Sequence, residues 1–253
     1  MTISTMPPVL QAVGLACVPA ADMPPGKALP AKPVAAAIIT IAEREDGHRF
    51  ASVRCVSDIQ PLEFPLPHRV DEALITGAPV IVTAADVAVL GIEAASRRFF
   101  VEPRLAALAA GQGTLDPVAM VPGGVDEREL CRRLDIPTPP VTPCDVKVAW
   151  ERGAADVAES TALSAAVARL ILWAHAASFA VAAPDPFFQT LPALREALLD
   201  LEAERPALGE VLRSRPMHWA TSLAGHYRDW RTARDAGDEE VNWVGFEPGL
   251  FHC

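Results

Sequence analysis

The segment Ala155–Val181 constrains the fold more than any other part of this sequence. It is rich in alanine, and its apolar residues fall on most faces of a helix. The sequence therefore predicts one long helix that is buried on several sides. The chain has 253 residues, which is enough to build a sizeable core around such a helix.

The N-terminal half predicts strands that could cover this helix. Pro8–Val18 is a candidate strand, and Val34–Glu43 and Arg49–Val56 flank an Asp-Gly turn in the manner of a β-hairpin. Pro79–Thr83 is a short apolar strand that runs into Asp86–Phe99, where apolar residues recur at helical spacing. A strand that leads directly into a helix is typical of α/β proteins.

The remaining elements are predicted to be mainly helical. Val70–Leu74 and Asp126–Leu134 indicate short helices, and Leu191–Arg213 and Trp219–Arg234 indicate two charged, amphipathic ones. We therefore predict an α/β domain, residues 1–183, with a mixed sheet flanked by helices. A helical C-terminal extension, residues 184–253, follows it. Its apolar tail either packs back on the domain or forms a partner surface: Trp243, Phe246, Leu250 and Phe251.

The composition narrows the possible environments and ligands. The net charge of −10 disfavours a large nucleic-acid footprint, because phosphate neutralisation by basic residues drives most of that affinity. The five cysteines are scattered and never form a CxxC pair, which suits reduced thiols in the cytoplasm and offers no zinc framework. Two mainly apolar stretches, Val34–Ala42 and Leu170–Ala183, are shorter than the roughly 20 residues of a membrane span, so no membrane-spanning segment is expected.

The order of these elements resembles that of DnaQ-like 3′-5′ exonucleases of the DNA polymerase B type, from about Val9 to Phe179. Four segments carry the resemblance: VGLACVP at Val13–Pro19, IVTAADVAVL at Ile81–Leu90, LDIP at Leu134–Pro137, and the stretch Asp145–Phe179. Each motif is weak, and their order is the signal. The resemblance implies a ribonuclease H-like fold and phosphodiester hydrolysis by two Mg²⁺ or Mn²⁺ ions held largely by carboxylates.

The carboxylates that this chemistry requires are mostly missing. Gly14 and Ala16 stand at the family's first acidic pair, and Ser160 and Ser164 at its last Tyr and Asp. Asp86 alone matches a family carboxylate. One carboxylate cannot hold two Mg²⁺ ions, so the resemblance implies an inactive member, a pseudoenzyme that needs no metal.

Three of these positions have alternative interpretations. Asp86, the only retained candidate for a metal ligand, either caps the N-terminus of the helix that follows its strand or serves as a retained ligand or polar contact in the former cleft. Ser160 and Ser164 lie one helical turn apart and face one groove. There they either bond back to the preceding carbonyls or contact a ligand. An active exonuclease remains possible if other acids rebuild the site: Asp58, Glu93, Asp116 or Glu159.

The possible partners are single-stranded nucleic acid and a protein. Arg97 and Arg98, together with Arg132 and Arg133, are the candidate nucleic-acid contacts, although a solvated helix face is the more common reason for such clusters. A protein partner would bind through the C-terminal extension. The sequence thus predicts a cytoplasmic binding or scaffold protein on an exonuclease-like frame.

Overall fold

The computed structural model describes residues 6–19, 31–58, 64–96, 103–121, 123–138, 141–181 and 183–236. Its strands are β1 (Val9–Val18), β2 (Lys32–Glu43), β3 (Arg49–Ser57), β4 (Val80–Ile81) and β5 (Thr114–Leu115). Its helices are α1 (Leu66–Ala73), α2 (Ala84–Ser96), α3 (Pro103–Ala109), α4 (Glu127–Arg133), α5 (Pro143–Glu151), α6 (Ala155–Val181), α7 (Asp185–Glu202), α8 (Leu208–Leu212), α9 (Arg215–Ser222) and α10 (Ala224–Asp235).

The five strands form one mixed sheet in the order β3-β2-β1-β4-β5. β1, β2 and β3 pair antiparallel, whereas β4 runs parallel to β1 and β5 runs parallel to β4. The predicted hairpin is confirmed, since the β2–β3 turn closes with Gly47 N–H donating to the Arg44 carbonyl at 2.9 Å. Gly47 has φ of 77°, which a glycine adopts without strain.

Helices cover both faces of the sheet, so the predicted α/β class with flanking helices is confirmed. α6 crosses one face in contact with β1, β2 and β3, and α1, α2 and α3 pack together on the other. Strand side chains alternate between the two cores, as the two-residue period requires. On β1, Leu10 and Ala12 face α6, while Val13 and Leu15 face the three short helices.

The helix α6 has the bounds that the sequence predicts. Most of its side chains are buried, and Leu163, Leu170 and Ile171 are wholly inaccessible to solvent. It is long and apolar enough to cross a membrane, but 78% of its most apolar window lies inside the fold, which favours a core helix. Gly153, with φ of 74°, ends α5 in the left-handed region and lets α6 begin at once.

The C-terminal helices differ from their predicted bounds. The first predicted helix, Leu191–Arg213, is wrong because α7 ends at Glu202 and α8 starts only after Pro206. Proline disfavours helical backbone at the residue before it, here Arg205, which breaks the segment. Trp219–Arg234 is also two helices, α9 and α10, separated at Leu223.

The described part of the extension packs on the domain. α7 begins at Asp185, next to the predicted domain boundary, and lies against α6 and β3. Its Phe187, Leu191 and Leu194 belong to the same core as α6. The division after residue 183 stays a prediction, and the aromatic tail from Trp243 to Phe251 lies outside the described residues.

Candidate functional site

The candidate site lies at the edge of the sheet where parallel strands end. In open α/β sheets, ligands bind in the crevice outside the carboxyl ends of such strands. α2 follows β4 here, and Asp116 directly follows β5. Asp116 orders this edge, because its carboxylate accepts hydrogen bonds from Ala84 N–H at 3.2 Å and Val118 N–H at 3.0 Å.

Gly14 lies where β1 and α6 approach each other most closely. A Cβ atom at Gly14 would stand 2.2 Å from the Ala162 carbonyl oxygen and 2.3 Å from the Ala166 nitrogen. Both are backbone atoms of α6 and cannot rotate away. Ala16 lies two residues further along the same face and is buried, beside an irregularity in the strand pairing. The helix therefore occupies the volume that a side chain at Gly14 would need.

The N-cap interpretation of Asp86 is wrong. α2 begins at Ala84, which makes Asp86 the third residue of the helix. The Asp86 N–H donates to Thr83 Oγ1 at 3.3 Å, so Thr83 caps this turn. The Asp86 carboxylate instead accepts a hydrogen bond from the guanidinium of Arg169. This is the polar contact that the sequence offered as its alternative.

Arg169 is the residue that sequence reasoning missed. It extends from the middle of α6, and its side chain is only 8% exposed. Its Nη1 donates to Asp86 and to the Val13 carbonyl at 2.9 Å, and its Nε donates to Glu127 Oε1 at 3.0 Å. One cation thus ties together β1, α2, α4 and α6. The sequence feature that could have identified it is a single arginine within an apolar helix.

In this Arg169 cluster, burial and charge pairing shift the pKa values in opposite directions. Burial raises the pKa of Asp86, and the neighbouring guanidinium pulls it in the other direction. Burial alone would lower the pKa of Arg169, but Asp86 and Glu127 outweigh it and raise that pKa. Burial also raises the pKa values of Cys17 and Cys131 to about 12, so both thiols stay protonated and unreactive at neutral pH.

Ser160 and Ser164 do face one groove, which has a volume of about 290 Å³. α6, α8 and the segment before α5 form its walls, and Val141, Val157 and Val211 line it beside the two serines. Ser164 Oγ donates to the Ser160 carbonyl at 2.9 Å, as the back-bonding interpretation predicts. Ser160 differs, since its Oγ accepts a hydrogen bond from Arg205 Nη1 at 3.2 Å.

Among the other acids considered from the sequence, Asp116 lies near enough to Asp86 for its charge to raise the pKa of that carboxyl, whereas Glu159 and Asp58 pair elsewhere. Glu159 bonds to Arg205 at 2.9 Å and to Ser57 at 3.0 Å, and Asp58 lies 3.9 Å from the Lys32 ammonium. The side chain of Glu93 lies outside the described part. Within the described ranges, no three His, Cys, Asp or Glu side chains are grouped so that they could hold a metal ion.

The candidate nucleic-acid contacts are only partly described. Arg132 and Arg133 both bind Glu129, at 2.7 Å and 2.8 Å, on the exposed side of α4. Arg97 and Arg98 lie outside the described residues. The two guanidinium groups share one carboxylate, so this group keeps one uncompensated positive charge.

Tyr227 and His175 could have supplied the family's missing aromatic or imidazole group. Tyr227 instead lies on α10, stacked on Phe188 at 4.8 Å, and its hydroxyl donates to Asp185. His175 is buried against Phe187, and burial lowers its pKa to about 3, so it stays neutral. Neither ring contacts Asp86 or Arg169 among the interactions of the described residues.

Comparisons of this chain with protein-family models, with curated proteins and with solved structures find no match.

Proposed function

We propose that this chain is a catalytically inactive relative of DnaQ-like 3′-5′ exonucleases, with a ribonuclease H-like fold, that acts as a binding or scaffold protein. The observation that carries the proposal is the Arg169 cluster. A guanidinium lies between Asp86 and Glu127, at the sheet edge where the family resemblance would place metal ions. A fixed cation there neutralises the carboxylates without offering an open coordination position to water or phosphate.

The order of elements supports the proposed family. A strand, a hairpin, a strand that enters a helix, a short helix and a long helix follow one another along the chain. This is the series that the sequence resemblance rests on. A mixed sheet with helices on both faces is compatible with it.

The packing at Gly14 supports the loss of hydrolysis. Two-metal catalysis needs carboxylates on both sides of a pair of ions about 3.5–4 Å apart. Close contact between α6 and Gly14 leaves no volume for a carboxylate at the first family position. The site has changed in its backbone packing as well as in its side chains.

A protein partner is favoured over single-stranded nucleic acid. Arg132 and Arg133 already bind a carboxylate, and phosphate contacts would have to compete with Glu129. The chain's net charge of −10 adds long-range repulsion of a polyanion. The residual groove at Ser160 and Ser164 and the surface of the C-terminal helices remain available for a partner.

A digest of labelled single-stranded DNA and RNA, with Mg²⁺ and then Mn²⁺, tests the proposal. We expect no cleavage above that of an Asp86→Asn control. Metal-dependent cleavage that Asp86→Asn abolishes would contradict the proposal and establish the alternative, an active exonuclease with a rebuilt site.

Fluorescence anisotropy with the same oligonucleotides, at two salt concentrations, separates the partner classes. We expect weak or no binding. Tight binding that falls steeply with salt would establish nucleic acid as the partner, because each neutralised phosphate of a single strand contributes about 0.7 to the logarithmic slope. If Arg132→Gln abolished this oligonucleotide binding, the nucleic-acid contact would lie on α4.

A further inference from the structure

The two edge strands of the sheet differ in how much backbone they offer to another chain. β5 has two residues, whereas β3 has nine and pairs with β2 in unbroken register along its whole length. Soluble proteins usually blunt a long edge strand with prolines, lysines or bulges, because its free backbone groups can pair with another strand. β3 contains neither proline nor lysine, and its one exposed charged side chain is Arg54. β3 is therefore the edge at which a further strand can add.

The directions of the backbone groups of β3 follow from the pairs at its two ends. Before the strand, the Arg44 N–H donates to the His48 carbonyl at 2.8 Å. After the strand, the Asp58 N–H donates to the Val34 carbonyl at 2.8 Å. Hydrogen-bonded pairs alternate along an antiparallel ladder, so the even-numbered residues of β3 bond to β2. The odd-numbered residues direct their N–H and C=O groups away from the sheet.

The outward backbone groups in the middle of β3 are open. At the end of the strand, the Ser57 carbonyl accepts a hydrogen bond from Arg69 Nη1 at 2.8 Å, which agrees with an outward direction. For Ala51, Val53 and Cys55, the described part of the chain supplies no partner to the outward N–H and C=O groups. These three residues are partly exposed, whereas the β2 residues paired with them are wholly buried. Their exposed surface therefore lies on the side away from β2.

The exposed face of β3 is self-complementary in one antiparallel register. Its exposed side chains are Phe50, Ser52 and Arg54. A twofold axis at Ser52 places each Phe50 opposite Arg54 of a second copy, and a guanidinium is attracted to an aromatic face. Arg44 already lies over one face of the Phe50 ring, 5.1 Å from its centroid, so the second copy uses the other face. An axis at Arg54 would instead place like charges directly opposite each other, which destabilises a strand pair.

We propose that two copies of this chain pair through β3, antiparallel about Ser52, so that their two five-stranded sheets become one. In this register Ala51 pairs with Val53 of the second copy, and Arg49 pairs with Cys55 of the second copy. Each of these pairs exchanges two backbone hydrogen bonds. The twofold axis is perpendicular to the sheet, so α7, which lies over β3, comes to lie beside its copy. Contact between these helices adds the area that strand pairing alone does not supply.

Sedimentation velocity of the full chain tests the dimer directly. The monomer has a mass of 26.9 kDa, and we expect a species of twice this mass whose fraction falls on dilution. A chain that stays monomeric at all concentrations up to about 100 µM would overturn the proposal. Assembly beyond the dimer would also contradict it, because pairing about a twofold axis uses both β3 edges and closes.

Opposite charges at Ser52 give a test that misfolding cannot imitate. Ser52→Lys places two ammonium groups opposite each other across the axis, and Ser52→Glu places two carboxylates there. We expect each substitution to weaken the dimer by about three- to tenfold. An equimolar mixture of the two variants pairs opposite charges and should dimerise more tightly than either variant alone. A mixture no tighter than the separate variants would show that Ser52 does not lie on the axis.

Disulfide formation tests the register. In a background of Cys144→Ser and Cys253→Ser, Ser52→Cys places two thiols directly opposite each other, with Cβ atoms about 4.5–5.5 Å apart. Arg54→Cys is the matched control, because its two thiols are offset by about 13 Å along the paired strands. Mild oxidation should link Ser52→Cys at least about tenfold faster than Arg54→Cys. Equal rates, or faster linkage of Arg54→Cys, would overturn the proposed pairing.

Discussion

The two faces of the sheet are packed in different ways, and β1 shows the difference residue by residue. Toward α6 it presents the small residues Ala12, Gly14 and Ala16. Toward α1, α2 and α3 it presents the larger Val13 and Leu15. Small residues let a helix backbone approach the strand closely, whereas branched side chains keep the helices at a distance. The two sides of β1 thus set different distances between the strand and the helices that cover it.

Buried charge is also stabilised differently in two places. At the strand-end edge of the sheet, the Asp86 carboxylate on α2 accepts a hydrogen bond from the guanidinium of Arg169 on α6. On the face covered by α1, α2 and α3, Asp71 is 6% exposed and accepts backbone hydrogen bonds from Arg104 and Leu105 at the start of α3. The first carboxylate depends mainly on a buried guanidinium, and the second depends mainly on two backbone N–H groups, with the Arg104 guanidinium 3.9 Å away. This difference in how each carboxylate is stabilised predicts which substitutions cost the most stability.

The largest effect is expected from Gly14→Asp, which places an acidic residue where the proposed family resemblance implies one. Its Cβ would overlap the backbone of α6 at 2.2 Å and 2.3 Å, so the helix must move or the strand must distort. Overpacking a core costs about 1–3 kcal/mol, and a backbone clash with an added charge should exceed about 4 kcal/mol. Urea unfolding followed by circular dichroism would measure the loss.

Gly14→Ala and Gly91→Ala form the matched pair for this prediction. Gly91 lies within α2, and a Cβ there would meet nothing within 4 Å. Replacing glycine by alanine in a helix should stabilise the protein by about 0.5–1 kcal/mol. Gly14→Ala should destabilise it by about 2 kcal/mol or more. Equal midpoints for the two variants would contradict the close packing of β1 against α6.

The next largest effect is expected from Arg169→Met. It leaves Asp86 buried without its cation, and breaking a buried pair from one side costs about 3–5 kcal/mol. Because methionine fills a similar volume, the loss should come mainly from the uncompensated charge. Arg169→Met combined with Asp86→Asn should therefore recover a large part of the stability. A double variant no more stable than Arg169→Met would show that packing, not pairing, dominates.

The stability of Arg169→Met should depend on pH in a direction that follows from the pKa of Asp86. Burial raises the folded-state pKa of Asp86, so the folded protein binds a proton more readily than the unfolded chain. When the pH is above the folded-state pKa, the ionised carboxylate destabilises the fold. This free-energy penalty disappears as the pH falls toward the unfolded-state pKa of about 3.9. Arg169→Met removes the opposing charge and raises this pKa further. Its deficit relative to the parent should thus be largest near neutral pH and shrink on acidification, as unfolding curves at several pH values would show.

The local patterns of the sequence predicted the elements well wherever periodicity and turn chemistry agreed. The hairpin β2–β3 and the bounds of α6 follow from strand alternation, an Asp-Gly turn and an apolar helix pattern. α5 was missed although Thr142 and Asp145 form a capping box around Pro143 at its start. α7 and α8 were merged because the amphipathic pattern continues through Pro206, where the helix cannot.

The candidate site was less predictable because its partners are distant in sequence. Arg169 lies 83 residues from Asp86 and 42 from Glu127, and no local pattern links them. The resemblance identified Gly14 as a missing acid, but the closure of that volume by α6 is a property of packing. A lone arginine in an apolar helix was the one local feature from which a buried carboxylate nearby could have been predicted.

The smallest of the three effects is expected on the other face, from Asp71→Ala. Asp71 Oδ1 accepts from Arg104 N–H at 2.7 Å and Leu105 N–H at 2.8 Å, so its loss leaves two donors of α3 unpaired. We expect a cost of about 2 kcal/mol. Asp71→Asn keeps one carbonyl acceptor and should cost about half as much. Because Asp71 depends mainly on these two backbone groups, and the Arg104 guanidinium 3.9 Å away is partly exposed, both variants should lose less stability than Arg169→Met in urea unfolding. If Asp71→Ala cost more than Arg169→Met, the contrast between the two carboxylates would be reversed.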